Sequence, residues 1–172
     1  PGSMLNQLNS PHGIVLDSYG GLIIADHSNN RIMRWLNGGL EGTVVAGGQG
    51  AGSLPNQLYG PAGLCISNSG TIYISDYSNN RIQAWDPGST AGITVATGNQ
   101  PWGLAMDPAG ALYFTSRANH HVVQWRKGAR SGRVVVGSNG AFNVVGSLND
   151  PTGLWVDSKG GLCVAERGFG SI

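Results

Sequence analysis

Asp26-His27-Ser28-Asn29-Asn30-Arg31 and Asp76-Tyr77-Ser78-Asn79-Asn80-Arg81 are one phrase written twice, fifty residues apart. An altered third copy reads Ser116-Arg117-Ala118-Asn119-His120-His121. Recurrence at a period of this size means that one supersecondary unit is repeated, so the architecture is decided here before any single residue is weighed. Working outward, each copy opens on Pro-x-Gly, at Pro11, Pro61, Pro101 and Pro151. A short apolar run follows (Ile14-Val15-Leu16, Leu64-Cys65-Ile66, Leu104-Ala105-Met106, Leu154-Trp155-Val156), then a turn with Gly, then a second apolar run. After the Asp/Ser/Asn turn a third run ends at Trp35, Trp85 or Trp125, and a fourth is Val-rich.

Four short strands with turn signals between them, repeated every 40 to 50 residues or so, are the signature of a propeller blade. The sequence therefore predicts an all-β chain, a β-propeller of four-stranded blades over roughly 11–46, 61–96 and 101–136, with an incomplete fourth over 151–172. About three and a half blades are present. The longer repeats place their extra residues in two Gly- and Asn-rich loops, 47–58 and 137–148. Side chains in a strand alternate between faces, so Ile32 and Trp35, three apart, point opposite ways, as a blade flanked on both sides requires. The first strand of each copy is apolar on both faces, as an innermost, covered strand should be.

The patterns Pro-x-Gly-Leu, Gly-x-Leu-Tyr-Ile-x-Asp and Ser-Asn-Asn-Arg-Ile resemble the NHL repeat. The resemblance covers almost the whole chain, strongest in copies one and two and truncated in four. It implies propeller blades, commonly six to a ring.

Composition bounds the rest. The chain has 172 residues, 11% charged, with 29 glycines and a formal net charge of +1. No stretch reaches the ~18 apolar residues of a membrane helix. Residues 1–4, Pro1-Gly2-Ser3-Met4, read as an expression remnant and an initiator methionine, which leaves 5–172 as the propeller segment. Cys65 and Cys163 fall two blades apart and read as two buried thiols without a disulfide. Nothing assigns a compartment.

Motif by motif, structure outweighs chemistry. Asp26, Asn30, Arg31 and their copies Asp76, Asn80, Arg81 read as a structural turn: Asp and Ser bond nearby backbone N–H groups, Asn tolerates a left-handed backbone, and Arg ties the turn to a neighbouring carboxylate or carbonyl. Glu166, at the Asp position of copy four, reads as drift. His12, His27, His120 and His121 show no metal-ligand spacing. No nucleophile elbow or phosphate loop occurs. No catalytic residue, metal or cofactor is therefore expected.

Departures from the repeat point to function, because repetition marks structure. The loops entering strand one and joining strands two and three share one end of such a propeller, around the channel mouth. Their variable residues include His12, His27, Tyr77, Trp102 and Arg117, with His120 close by. They predict an aromatic and basic binding rim and a non-catalytic scaffold for a protein partner. One alternative is RNA binding through the basic third repeat, where Arg117, Arg126, Lys127, Arg130 and Arg133 lie together in sequence. A second, implied by the resemblance, is a propeller lyase or hydrolase. Half a ring leaves blade faces bare, so the rest of a longer chain or self-association should cover them.

Overall fold

The computed structural model describes residues 1–137 and 147–168. Most of loop 137–148, and anything the fourth copy holds past Gly168, lie outside the described residues. Blade one comprises β1 (Pro11–Leu16), β2 (Leu22–Asp26), β3 (Arg31–Trp35) and β4 (Thr43–Gly47). Blade two comprises β5 (Pro61–Ile66), β6 (Ile72–Asp76), β7 (Arg81–Trp85) and β8 (Ile93–Thr97). Blade three comprises β9 (Pro101–Met106), β10 (Leu112–Ser116), β11 (His121–Trp125) and β12 (Arg133–Val136). Only β13 (Pro151–Val156) and β14 (Leu162–Glu166) are described of blade four. Every sheet is an antiparallel meander in chain order, and the Trp positions match: Trp35 pairs with Leu22, Trp85 with Ile72, Trp125 with Leu112. The only helices among the described residues are two 3-10 turns, His27–Asn29 and Tyr77–Asn79.

The core lies between blades. Ile23, Ala25, Ile32 and Ala46 of blade one bury against Leu64, Ile72, Ile74 and Trp85 of blade two. Cys65, Ile82 and Ala96 of blade two meet Leu104, Leu112, Phe114 and Trp125 of blade three. Tyr113 and Val122 continue the series onto Leu154, Val156, Leu162 and Val164. Each blade thus presents a leading face, which carries the Trp, to the trailing face before it. At the two ends of the arc the expected covering of strand one fails. Ile14 is 57% exposed where its counterpart Leu64 is 5%. Cys163 is also exposed rather than buried, because its trailing face meets no blade among the described residues, whereas burial pushes the Cys65 thiol up to about 12. Gln83 is fully buried at the level of Met33 and Val123, and its amide has no hydrogen-bond partner among the described residues.

The Gly of Pro-x-Gly is fixed by close approach. A Cβ on Gly13 would fall onto the carbonyl oxygen of Ala62, one on Gly63 onto that of Trp102, and one on Gly103 onto that of Thr152. Innermost strands therefore meet backbone to backbone, which only glycine permits.

The Asp/Asn/Arg phrase does not cap its own turn. No side chain caps either 3-10 turn. Asp26 instead accepts the N–H of Asn9 (2.7 Å) and bonds Asn29 and Arg31 Nε (2.7 Å). Arg31 then donates to the carbonyls of Ser3, Met4 and Gln7. In blade two, Asp76 accepts the N–H of Tyr59, and Arg81 grips the carbonyls of Ser53, Leu54 and Gln57. The phrase clamps the ten-residue loop that leads into its own blade. Residues 2–8 repeat the bonding of 52–58: Asn29 reaches Gly2 O and Asn79 reaches Gly52 O, both at 2.8 Å. Glu166 keeps the same job, accepting the N–H of Asn149 at 2.7 Å.

Blades are also pinned to one another. Asn30, Asn80 and His120 are all left-handed, at φ 54, 56 and 56°. Each side chain accepts the N–H of the residue before the next Pro: Gly60, Gln100 and Asp150 respectively.

Gly63→Ala should cost about 3 kcal/mol, the top of the overpacking range, since both backbones must move; an unchanged thermal midpoint would contradict the close approach. Asp76→Ala takes the buried acceptor from Arg81 Nε and from the Tyr59 N–H, and leaving such a group unsatisfied costs about 1–3 kcal/mol. Hydrogen exchange should show the amides of 52–59 opening with it.

Candidate functional site at the channel mouth

Strand starts and two-to-three turns lie at one end of the arc, and there the variable residues converge. His12 comes from the start of β1 and Trp102 from the start of β9, while His27, Tyr77 and Arg117 come from the turns. Ring centroids of His12 lie 4.7 Å from His27 and 4.7 Å from Trp102. Tyr77 meets Trp102 edge-on at 5.1 Å. The Arg117 guanidinium stacks 4.6 Å from the Trp102 ring and 5.9 Å from that of Tyr77. Such contacts hold an arginine and an aromatic surface in place. Beneath them a cleft of about 340 Å³ is walled by the Pro-x-Gly segments, Leu64, Leu104 and Leu154.

His120 does not join this cluster. Its Nδ1 accepts the Asp150 N–H, replacing the Asn carboxamide of the other blades, and the proton then sits on Nε2. His27 donates from Nδ1 to the Pro61 carbonyl at 3.1 Å, which holds its ring at the rim. Sequence reading missed Asp150. It takes a bidentate pair from one edge of the Arg117 guanidinium, Nε to Oδ1 and Nη2 at 2.8 Å to Oδ2, and Arg167 stands 3.9 Å away. The signal was a lone carboxylate where the other copies have Ser10, Gly60 and Gln100.

Arg117 holds the Asp150 carboxyl below the usual carboxylate range, and Asp150 holds Arg117 above its own. His12 is pushed down by burial, then by His27 and Arg117. The third-repeat cations do not share one face. Arg117 is at the mouth, while Arg126, Lys127, Arg130 and Arg133 sit exposed in the β11–β12 hairpin at the opposite end. No group of three or more His, Cys, Asp or Glu suited to a metal occurs among the described residues. No helix there is long and apolar enough to cross a membrane.

The family model for the NHL repeat matches residues 8–34 and 58–85. Those two stretches carry the NHL repeat. Among curated proteins, none matches it. Among solved structures, nidogen in a nidogen/laminin complex is similar at a TM-score of 0.72 and 24% identity, over 91% of this chain and 56% of that one. Selenomethionine-substituted virginiamycin B lyase from Staphylococcus aureus is similar at 0.65 and 19%, over 94% and 50%. A streptogramin B lyase is similar at 0.64 and 18%, over 89% and 47%. At these identities the likeness establishes the propeller fold, and the NHL chain spans about half the length of each.

His12 should titrate below the 6.5 of a free histidine. Its folded pKa lies under the unfolded one, so the unfolded chain takes up the proton first as pH falls. Stability from His12 is therefore present above the ordinary histidine range and is lost as pH falls toward the folded value. An NMR titration of the imidazole checks this, and Arg117→Gln should move the midpoint part of the way back up. A wild-type midpoint at or above 6.5 would contradict it.

Proposed function

We propose that this is a non-catalytic binding propeller that holds a protein partner on the mouth cluster of His12, His27, Tyr77, Trp102 and Arg117. One observation carries the reading: five positions free to vary within a structural repeat come together as a contiguous aromatic and cationic surface. Trp, Tyr and Arg dominate the energetics of protein interfaces, above all where neighbouring contacts hold them rigid. Arg117 is such a group, since Asp150 and Trp102 fix it before any partner arrives. A pre-fixed side chain loses little entropy on binding. The similar nidogen structure, itself in a complex with laminin, supports the reading. The RNA reading loses its single basic face, and the Asp150 carboxylate beside the cluster is already engaged by Arg117.

Protein ligands recovered on the immobilised chain should be lost on a Trp102→Ala, Tyr77→Ala, Arg117→Ala triple variant. In titration calorimetry the Trp102→Ala change alone should weaken binding by about 2 kcal/mol or more, the hot-spot threshold. Equal recovery on wild type and triple variant, with an unchanged melting temperature, would overturn the rim.

A further inference from the structure

Blade three lacks the long loop of the first two blades but keeps two of the groups that hold it. In blades one and two, two donors take carbonyls of the loop before the blade. Asn29 and Asn79 donate from Nδ2 to Gly2 O and Gly52 O, both at 2.8 Å. The N–H groups of Gly42 and Gly92, in the β3–β4 and β7–β8 hairpins, donate to Leu5 O at 2.9 Å and Pro55 O at 2.8 Å. Asn119 and Gly132 stand at the same two places in blade three, where the loop is ten residues shorter. Gly42 and Gly92 are buried, whereas Asn119 and Gly132 are exposed. Asn119 Oδ1 accepts from Asn99 at 3.4 Å, but neither its Nδ2 nor the Gly132 N–H has an acceptor among the described residues. A cleft of about 440 Å³ joins the two places, lined by Ser116, Asn119, His121, Trp125, Gly132 and Val134. Charge changes here too. Residues 36–43 and 86–93 hold one acid each, Glu41 and Asp86, and no cation, whereas 126–133 hold Arg126, Lys127, Arg130 and Arg133. All four are exposed, and none joins an ion pair among the described residues. The turn does not require them. Ala129 N–H bonds Arg126 O as Gly39 bonds Leu36 and Ser89 bonds Asp86, and Gly128 is left-handed like Gly38 and Gly88.

We infer that this cleft seats an acidic peptide segment of a partner protein, lying where the loop lies in the other two blades. Its carbonyls take Asn119 Nδ2 and the Gly132 N–H, and its carboxylates meet the cations of the β11–β12 hairpin. The loop of blade two shows which places would carry those acids: Leu54 and Asn56 flank the Pro55 carbonyl that the hairpin binds, and both are exposed. Recognition through main-chain bonds leaves side chains to set specificity, and opposite charge selects a partner more than it adds affinity. Ordering a flexible segment costs affinity, so the contact is a weak one. The cleft shares no residue with the mouth cluster, so it is a second site and does not rest on the first.

Fluorescence anisotropy on the whole chain tests this with a labelled peptide of the sequence of residues 52–57 carrying Leu54→Glu and Asn56→Asp. The peptide should bind with a Kd below about 1 mM and lose affinity as salt rises. A second peptide with lysine at both places should bind more weakly, and an Arg126→Glu, Arg130→Glu double variant should reverse that preference. Asn119→Ala, a change at an exposed side chain, should weaken the acidic peptide about fivefold, the worth of one hydrogen bond, with an unchanged melting temperature. No binding of the acidic peptide at about 1 mM overturns the inference. Equal binding of the two peptides by the wild type, or binding untouched by Asn119→Ala, overturns it as well. Should an RNA oligonucleotide of similar length displace the peptide from wild type and Asn119→Ala alike, the hairpin is a general polyanion surface and the peptide seat is refuted.

Discussion

Everything in this fold hangs on how close two innermost strands can come. The Pro-x-Gly glycines let a neighbouring blade's carbonyl sit where a side chain would otherwise stand. That contact sets the blade spacing, and the spacing lets Trp85 and Trp125 reach the sheet before them. It also draws the strand starts into a tight arc, so His12 and Trp102, borne on strands from blades one and three, touch. The mouth cluster is therefore a by-product of backbone packing, decorated by whichever residues stand at the free positions.

Two further devices hold the arc. The Asp/Arg clamp fixes each long loop to its blade, and the left-handed Asn or His pins each blade to the next. Both work through buried or half-buried polar groups whose partners are main-chain atoms. Such bonds add little net stability when formed but cost much when one partner is removed. They specify geometry more than they supply energy, which comes from the apolar layers between blades.

Much of this was legible in the sequence because it is periodic. The Trp positions, the four-strand order and the left-handed Asn followed from spacing and residue chemistry. The convergence of His12, His27, Tyr77, Trp102 and Arg117 followed from knowing which loops share an end. What escaped were contacts whose partners leave no mark in the residue types. The Arg31 and Arg81 partners are carbonyls more than twenty residues upstream, and a carbonyl has no sequence signature. His120 looked like a rim residue because a histidine invites chemistry, yet its ring does the work of an amide. Asp150 stands at a repeat position, before Pro151, where the residue type changes from copy to copy. Cys163 was misjudged because its burial depends on a neighbour and not on its own strand.

Blade three shows what the clamp means for change over time. The loop before it is ten residues shorter, and Ser116 and His121 stand where Asp and Arg stand elsewhere. Ser116 simply donates to the Asn99 carbonyl. Across blades one to three, loop and charges come and go together: an arginine without the loop's carbonyls loses most of its partners. In blades one and two the clamp is thus neither a residue nor a segment but a cassette of ten residues and two distant charges. A graft between propellers that moves the loop alone would carry half of an instruction.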